Sequence, residues 1–248
     1  VVDDNSPDGT GDILDRMAEA ESRLAVVHRP RKLGLGSAHK LAMAYAVRHR
    51  YDVLITMDAD LSHAPNEIPR LLEGIERADF VIGSRYMPGG QCEYTGYRRN
   101  VSMLANIFAR HLLGIALHEF TTSFRAFSVP MLAEIQFSRI RSQGYSFFME
   151  AVWHIHRAGR TCFEVPITFA DRLHGESKIP KNEIFNGMRK LAELCFLRLI
   201  RWRRPRLPSA EVKAPCYLCG SDMVVELYPK LDGAEVGAEA YRCRSMTH

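Results

Sequence analysis

Along the first 170 residues, short apolar runs alternate with stretches whose apolar positions recur every three or four residues. The runs VVDD (1–4), LAVVH (24–28), DVLITMD (52–58) and DFVIGSRY (79–86) predict strands, and CFEVPITFA (162–170) predicts another. DVLITMD is a compact apolar run bounded by charge, the pattern of a strand buried on both faces. Between the runs, the spacing predicts helices over GDILDRMAEAESR (11–23), over 37–50 and from Pro65, where proline suits a first turn. Longer helices are predicted over 97–113, 145–158 and 182–200. The first of these places Val101, Leu104, Ala105, Phe108 and Leu112 on one face, and the second turns Phe148, Val152 and Ile155 to the core. The strand–helix rhythm predicts an α/β fold, Rossmann-like, with a mostly parallel sheet flanked by helices.

The pattern changes after residue 200: a basic, Pro-rich linker, RWRRPRLPSAEVKAP (201–215), leads to a small Cys-containing segment, 216–248. The 248-residue length suits one large α/β domain, 1–200, with that appendage. A composition of 46% hydrophobic and 25% charged residues is that of a globular chain, and a net charge of +4 is too mild to argue for nucleic acid, which is not expected as a partner. No apolar run reaches the roughly 18–20 residues of a membrane-spanning helix. The most apolar late stretch, LAELCFLRLI, is interrupted by Glu193 and Arg198. No secretion signal is visible, and six cysteines suit a reducing compartment, so a cytoplasmic protein is expected. The chain opens without Met inside a strand-like run, so a preceding strand is expected to be missing.

In open α/β sheets ligands bind at the carboxyl ends of strands. Asp3 and Asp4, Asp58 and Asp60, and Arg85 each follow an apolar run, so all are expected on one edge. Two carboxylates at i and i+2 suit Mg²⁺ or Mn²⁺ completed by nucleotide phosphates, provided the chain turns so that both converge. Taken alone the pair reads first as a solvated turn. Arg98 and Ser102, at i and i+4, share a helix face on which guanidinium and hydroxyl can both donate to a phosphate; an exposed helix arginine is the plainer reading.

The order of VVDDNSPDGT, DADLSH, VIGSRY and DRLHGESK, with KLGLGSA, FTTSFRAF, GYSFFMEAV and EVPITF between them, resembles the family 2 glycosyltransferases of GT-A fold. It is most similar to the polyprenol-phosphate (dolichol-phosphate) mannosyltransferases, over about 1–200. The resemblance implies inverting transfer of mannose from GDP-mannose to a polyprenyl phosphate at a membrane surface. UDP-glucose is the alternative donor, and an inactive, truncated nucleotide-sugar-binding module is the alternative from another class. It further implies that Asp3, Asp4, Asp58, Ala59, Asp60, Arg85, Arg172 and Lys178 bind the donor, and that Asp60, Arg85 and Arg172 are catalytic. Asp58 and Asp60 would hold Mg²⁺ or Mn²⁺, with Ser62 standing where relatives often offer glutamine, and Arg98 and Ser102 would hold the acceptor phosphate. Arg172 and Lys178 would lie on a loop closing over the pyrophosphate. One departure is Glu119, where relatives usually carry aspartate.

A polyprenyl acceptor must be met at a membrane, so peripheral attachment to the cytoplasmic face is expected. Helix 182–200 carries Phe185, Met188, Leu191, Cys195 and Leu199 near one face, followed by Arg201, Trp202, Arg203, Arg204 and Arg206. That pattern fits an interfacial helix and equally an ordinary core-packed one. In CYLCG, Cys216 and Cys219 resemble one knuckle of a zinc ribbon; Cys243 is a further candidate for Zn²⁺, its spacing to the final His248 is not that of a usual second pair, and partial disorder is the plainer alternative. KLGLGSAHK reads as a turn and helix start rather than a phosphate loop. His154 and His156 fall on different helix faces and are not expected to share a metal.

Overall fold

The computed structural model describes residues 1–135, 137–171 and 181–200, and the backbones of three further strands within 212–243. In chain order the elements are β1 (Val2–Asp3), α1 (Thr10–Ala20), β2 (Val27–His28), α2 (Leu35–Arg48), β3 (Val53–Thr56), α3 (Ile68–Ile75, after a 3₁₀ turn at Pro65–Glu67) and β4 (Phe80–Ser84). There follow β5 (Gln91–Cys92), α4 (Tyr97–Leu113), β6 (Arg125–Ser128), α5 (Val129–Glu134), α6 (Ser146–Arg157), β7 (Cys162–Pro166), β8 (Thr168–Phe169) and α7 (Lys181–Ile200). The last three, β9 (Val212–Pro215), β10 (Asp222–Val225) and β11 (Tyr241–Cys243), form an antiparallel sheet with β10 in the middle.

The central sheet has the order β3-β6-β4-β7. β4 pairs in parallel with β7, while β6 runs antiparallel to both β3 and β4. Three of the four strands therefore point the same way and β6 is reversed between them. The sequence rhythm did not single out β6, because its four residues, RAFS, contain no apolar run: Arg125 is buried there only because the carbonyls of Phe120, Thr122 and Phe148 receive its guanidinium. Alternation along β4 sends Phe80 and Ile82 to one face, where they meet Phe127 and the side chains of α2, α4, α5, α6 and α7. Val81 faces the other way, with Ala126 and Val165 against Leu71 of α3. Both faces are thus covered, and every residue of β4 is buried. Phe148, Val152 and Ile155 of α6 face the core as their spacing predicts.

α4 departs from expectation. Its buried side is Asn106, Ala109 and Leu113, whereas Leu104, Ile107, Phe108 and Leu112 are exposed. Hydrophobic spacing finds the apolar face of a helix but not the neighbour it meets; here the inward side carries Asn106, which binds the loop leading into β6. α7 packs alongside, with Arg198 donating to the carbonyls of His111 and Leu112 at the end of α4. Of the apolar positions expected on one face of α7, Leu191 is buried, while Phe185, Met188 and Leu199 are exposed together with Phe196 and Ile200. Among the described residues no helix is long and apolar enough to cross a membrane.

The register aligns the functional edge. Thr56 of β3 and Ile82 of β4 both lie opposite Arg125 at the start of β6, and Glu164 of β7 lies opposite Ile82. The residues that follow β3 and β4, and those that precede β6, accordingly share one edge of the sheet.

Candidate active site

Beyond β3 the chain turns sharply. Leu61 adopts φ 63°, a left-handed conformation that ordinary side chains populate rarely and that clusters at functional sites. On this turn Asp58 and Asp60 are both half-exposed. Asp60 is braced by Ser62, whose amide lies 3.1 Å from Oδ1 and whose hydroxyl donates to the same oxygen. Ser62 is itself fully buried. Asp58 Oδ1 accepts from Ser123 Oγ at 2.7 Å. The Asp58 amide donates to Nδ1 of His63 at 3.1 Å, and Nε2 of His63 lies 3.0 Å from Thr122 Oγ1. His63 is fully buried between the rings of Phe124 and Phe169. Burial pushes its pKa below the ordinary imidazole value, outweighing the opposing pull of Asp58.

The loop between α4 and β6 thus supports the turn from below, and it is itself strongly held. Glu164 Oε1 accepts the amides of His118 and Glu119 at 2.7 and 2.8 Å. Asn106 of α4 accepts the Phe120 amide at 2.7 Å. The buried guanidinium of Arg125 donates to the carbonyls of Phe120, Thr122 and Phe148, and burial pushes its pKa down to about 9.

The same loop presents Glu119, fully buried, to Arg85. Arg85 Nε lies 2.9 Å from Glu119 Oε2 without a directed hydrogen bond between those two atoms, and Arg85 Nη2 donates to Glu119 Oε1 at 3.5 Å. Burial alone would lower the pKa of Arg85; the Glu119 carboxylate more than offsets it, and the net shift is upward. Glu119 Oε1 takes donors from Thr121 and Asn106. The same guanidinium reaches Thr121 Oγ1 at 3.0 Å and Ser102 Oγ at 3.5 Å, and lies 4.6 Å from the centre of the Phe169 ring and 5.6 Å from that of Tyr94. Exposed Arg98 lies 5.3 Å from the centre of the Tyr94 ring. Arg85, Arg98 and Ser102 are therefore neighbours. The turn after β4 that carries Arg85 requires Gly90, since a Cβ there would collide with the backbone of Ser84 and Arg85.

Asp3 and Asp4 head a second network. Arg29, fully buried, pairs with Asp4 and donates to Ser37 Oγ in the first turn of α2. The Asp3 carboxyl is held below its ordinary value by hydrogen bonding from Ser6, with His28 adding to it 3.5 Å away. Gly34 and Gly36 open α2, and the Gly36 amide donates to Gln143 O at 2.7 Å, so KLGLGSA is a turn and helix start.

The structure thus brings Asp58, Asp60, Ser62, Arg85, Arg98 and Ser102 to one edge and leaves Ala59 exposed in the turn. Arg172, Lys178, Cys216, Cys219 and His248 lie outside the described residues, and of Cys243 only the backbone is described. Residues that the sequence reading did not assign are His63, Thr122, Ser123, Arg29, Tyr94 and Phe169. His63 belongs to the DADLSH motif, but nothing in its spacing shows that it is buried. Arg29 was hidden among the neighbouring basic residues of HRPRK. Among the described residues no group of three or more His, Cys, Asp or Glu side chains gathers as a metal site. Two hard, half-exposed carboxylates on one braced turn do fit Mg²⁺ or Mn²⁺, which take one or two carboxylates and leave the remaining positions to phosphate and water.

The model of the family described as Glycosyl transferase family 2 matches residues 1–136. Polyprenol monophosphomannose synthase of Mycolicibacterium smegmatis is 44% identical over 78% of this chain and 74% of its own length. Undecaprenyl-phosphate mannosyltransferase of Micrococcus luteus is 42% identical over 72% of this chain and 74% of its own length. Among solved structures, glucosyl-3-phosphoglycerate synthase of Mycobacterium tuberculosis, in complex with Mn²⁺, UDP-glucose and phosphoglyceric acid, superposes with a TM-score of 0.53 at 19% identity, covering 88% of this chain and 72% of that one. That likeness is one of fold.

Proposed function

The chain belongs to glycosyl transferase family 2, and from that premise we propose that it transfers mannose from GDP-mannose to a polyprenyl phosphate, with inversion to the β-linked product. The observation that carries this reading is the adjacency of Arg85 to Ser102, beside Arg98, on the edge that also holds Asp58 and Asp60. A carboxylate turn suited to a nucleotide-sugar metal thus lies beside side chains that can donate to a phosphate. The names of the two relatives supply the mannosyl and polyprenyl classes.

A phosphate monoester has its second pKa near about 6 and is largely ionised at neutral pH, so its oxygen attacks without a strong general base. It forms the bond to the anomeric carbon as the bond to the GDP oxygen breaks, and the protein's tasks are positioning and charge neutralisation. Asp58 and Asp60 would hold a Mg²⁺ or Mn²⁺ ion, which would supply charge neutralisation at the pyrophosphate. Arg98 and Ser102 hold the acceptor phosphate, and Arg85, pinned by Glu119, stands between the two substrates. Asp3 and Asp4 seat the nucleotide, and Arg172 and Lys178 are the further donor-binding cations that the family resemblance implies.

The acceptor is met at a membrane surface from the cytoplasmic side. The exposed apolar residues of α4 and α7, with Arg98 and Arg99 at one end and the Arg-rich 201–206 after the other, suit an anionic lipid surface. Residues 1–200 are read as the catalytic domain, 201–215 as a linker, and 216–248 as a zinc-ribbon-like appendage with Cys216, Cys219 and Cys243 as ligands. Zinc content of the wild type against Cys216→Ser tests the last point; equal content sinks it.

The deciding assay offers labelled GDP-mannose and UDP-glucose in parallel, with solubilised polyprenyl phosphate and Mg²⁺, Mn²⁺ or EDTA. Metal-dependent mannolipid from GDP-mannose alone is expected. Glucolipid overturns the donor, and nucleotide binding without product overturns the enzymatic reading. Asp60→Ala is expected to lower the rate by at least about a hundredfold, and wild-type turnover in that variant removes Asp60 from the site.

A further inference from the structure

His63 lies beside the Asp58 carboxylate, with Nδ1 3.9 Å from Oδ2, beyond hydrogen-bond reach. A backbone amide can only donate, so the Asp58 amide 3.1 Å from Nδ1 requires the lone pair there. The ring proton then sits on Nε2 and is given to Thr122 Oγ1 at 3.0 Å. The imidazole is fixed in one tautomer and one orientation, clamped by Phe124 at 5.1 Å and Phe169 at 5.0 Å between ring centres. Its backbone is also tied down: His63 bridges Phe169, and the Ala170 amide donates to Ser62 O at 3.1 Å. One end of the ring therefore holds the strained turn and the other the Glu164-anchored loop, which separately holds the Asp58 carboxylate through Ser123.

We propose that His63 is a positioning residue for the cation-binding turn, setting the direction of the Asp58 carboxylate by gripping the Asp58 amide from the Thr122 loop. The inference rests on the reading of Asp58 as a metal ligand. Outer-shell groups that orient a ligand typically change metal affinity by about ten- to a hundredfold when removed. Asn at position 63 puts an acceptor oxygen where Nδ1 stands, Gln puts its polar end nearer Nε2, and Leu supplies neither.

The test is a titration of the full chain with Mn²⁺ in the presence of GDP, followed by electron paramagnetic resonance, on wild type, His63→Leu, His63→Asn and Thr122→Val. His63→Leu is expected to weaken Mn²⁺ by about tenfold or more, His63→Asn to recover to within about threefold of wild type, and Thr122→Val to lose about threefold. In turnover, the KM for the nucleotide sugar should rise in His63→Leu while that for polyprenyl phosphate holds, a split that general loosening does not produce. Wild-type Mn²⁺ affinity in His63→Leu overturns the proposal, as does a His63→Asn variant that folds normally yet binds as weakly as His63→Leu. If His63→Leu does not fold, His63→Asn against His63→Gln decides: tighter binding by Asn supports the role and equal binding overturns it. The titration involves no sugar and no lipid, so a Mn²⁺ response without mannolipid fails the proposed transfer and keeps the positioning role. Mannolipid without a Mn²⁺ response does the reverse.

Discussion

Arg85 and Glu119 are the most exacting pair in the molecule, because both are buried and each is the other's main counter-charge. Removing one partner of a buried pair leaves an uncompensated charge and costs about 3–5 kcal/mol, whereas removing both is far milder. Glu119→Gln and Arg85→Met should each lower stability in urea unfolding, and the double variant should cost clearly less than the two together. Strict additivity would show that the pair is not coupled. Glu119→Asp tests the departure noted in the sequence: the shorter arm withdraws a carboxylate that also serves Thr121 and Asn106. Because Arg85 stands between the two substrates, Glu119→Asp should raise the KM for both GDP-mannose and polyprenyl phosphate, and unchanged values for both would detach Glu119 from the site. Gly90→Ala, by pressing on the Arg85 backbone, should mimic a weakened Arg85.

Among whole elements, the α2–α6 contact has a built-in dependence on acid. His39 is buried against Phe147 and Phe148, with ring centres 5.8 and 4.9 Å away. Burial, reinforced by Arg125, pushes its pKa down to about 3. Its folded pKa is depressed, so the unfolded chain binds more protons below its ordinary value of about 6.5, and stability falls as pH drops through that window toward 3. Between pH 6.5 and 5 the loss amounts to about 2 kcal/mol from this residue. His39→Leu should flatten the acid limb of the thermal midpoint between pH 7 and 5; an unchanged slope would place the ring outside that contact. The same comparison of elements explains α4, whose length and bounds were legible in its spacing while its orientation was not. Hydrophobic periodicity marks the apolar stripe, but the inward side was chosen by Asn106, which satisfies the Phe120 amide and reaches Glu119.

For the molecule as a whole, the exposed stripes of α4 and α7 lie on helices tied together through Arg198. Glutamate at Phe108 and Phe196, both solvent-exposed, should leave folding intact and weaken flotation with vesicles containing anionic lipid by about tenfold or more, since each loses apolar burial and gains repulsion. Equal flotation of wild type and double variant would remove the membrane from this face. Activity on a short, water-soluble polyprenyl phosphate should survive in the same variant, because Arg85, Arg98 and Ser102 are untouched.

The strand–helix alternation, the bounds of α4 and the carboxylate pair at the end of β3 follow from local order alone, because period, turn chemistry and charge placement are properties of neighbouring residues. The resemblance carried by DADLSH, VIGSRY and their companions likewise needs only sequence order. The reversal of β6, the partners of Glu119 and the burial of His63 and Arg29 belong to the tertiary structure. They depend on which distant segments meet: β6 enters between β3 and β4, Glu164 of β7 grips the loop before it, and Asp4 finds Arg29 across β1 and β2. A buried polar group is stable only where its partner is supplied, and for His63 and Arg29 those partners, Thr122 and Asp4, lie tens of residues away along the chain.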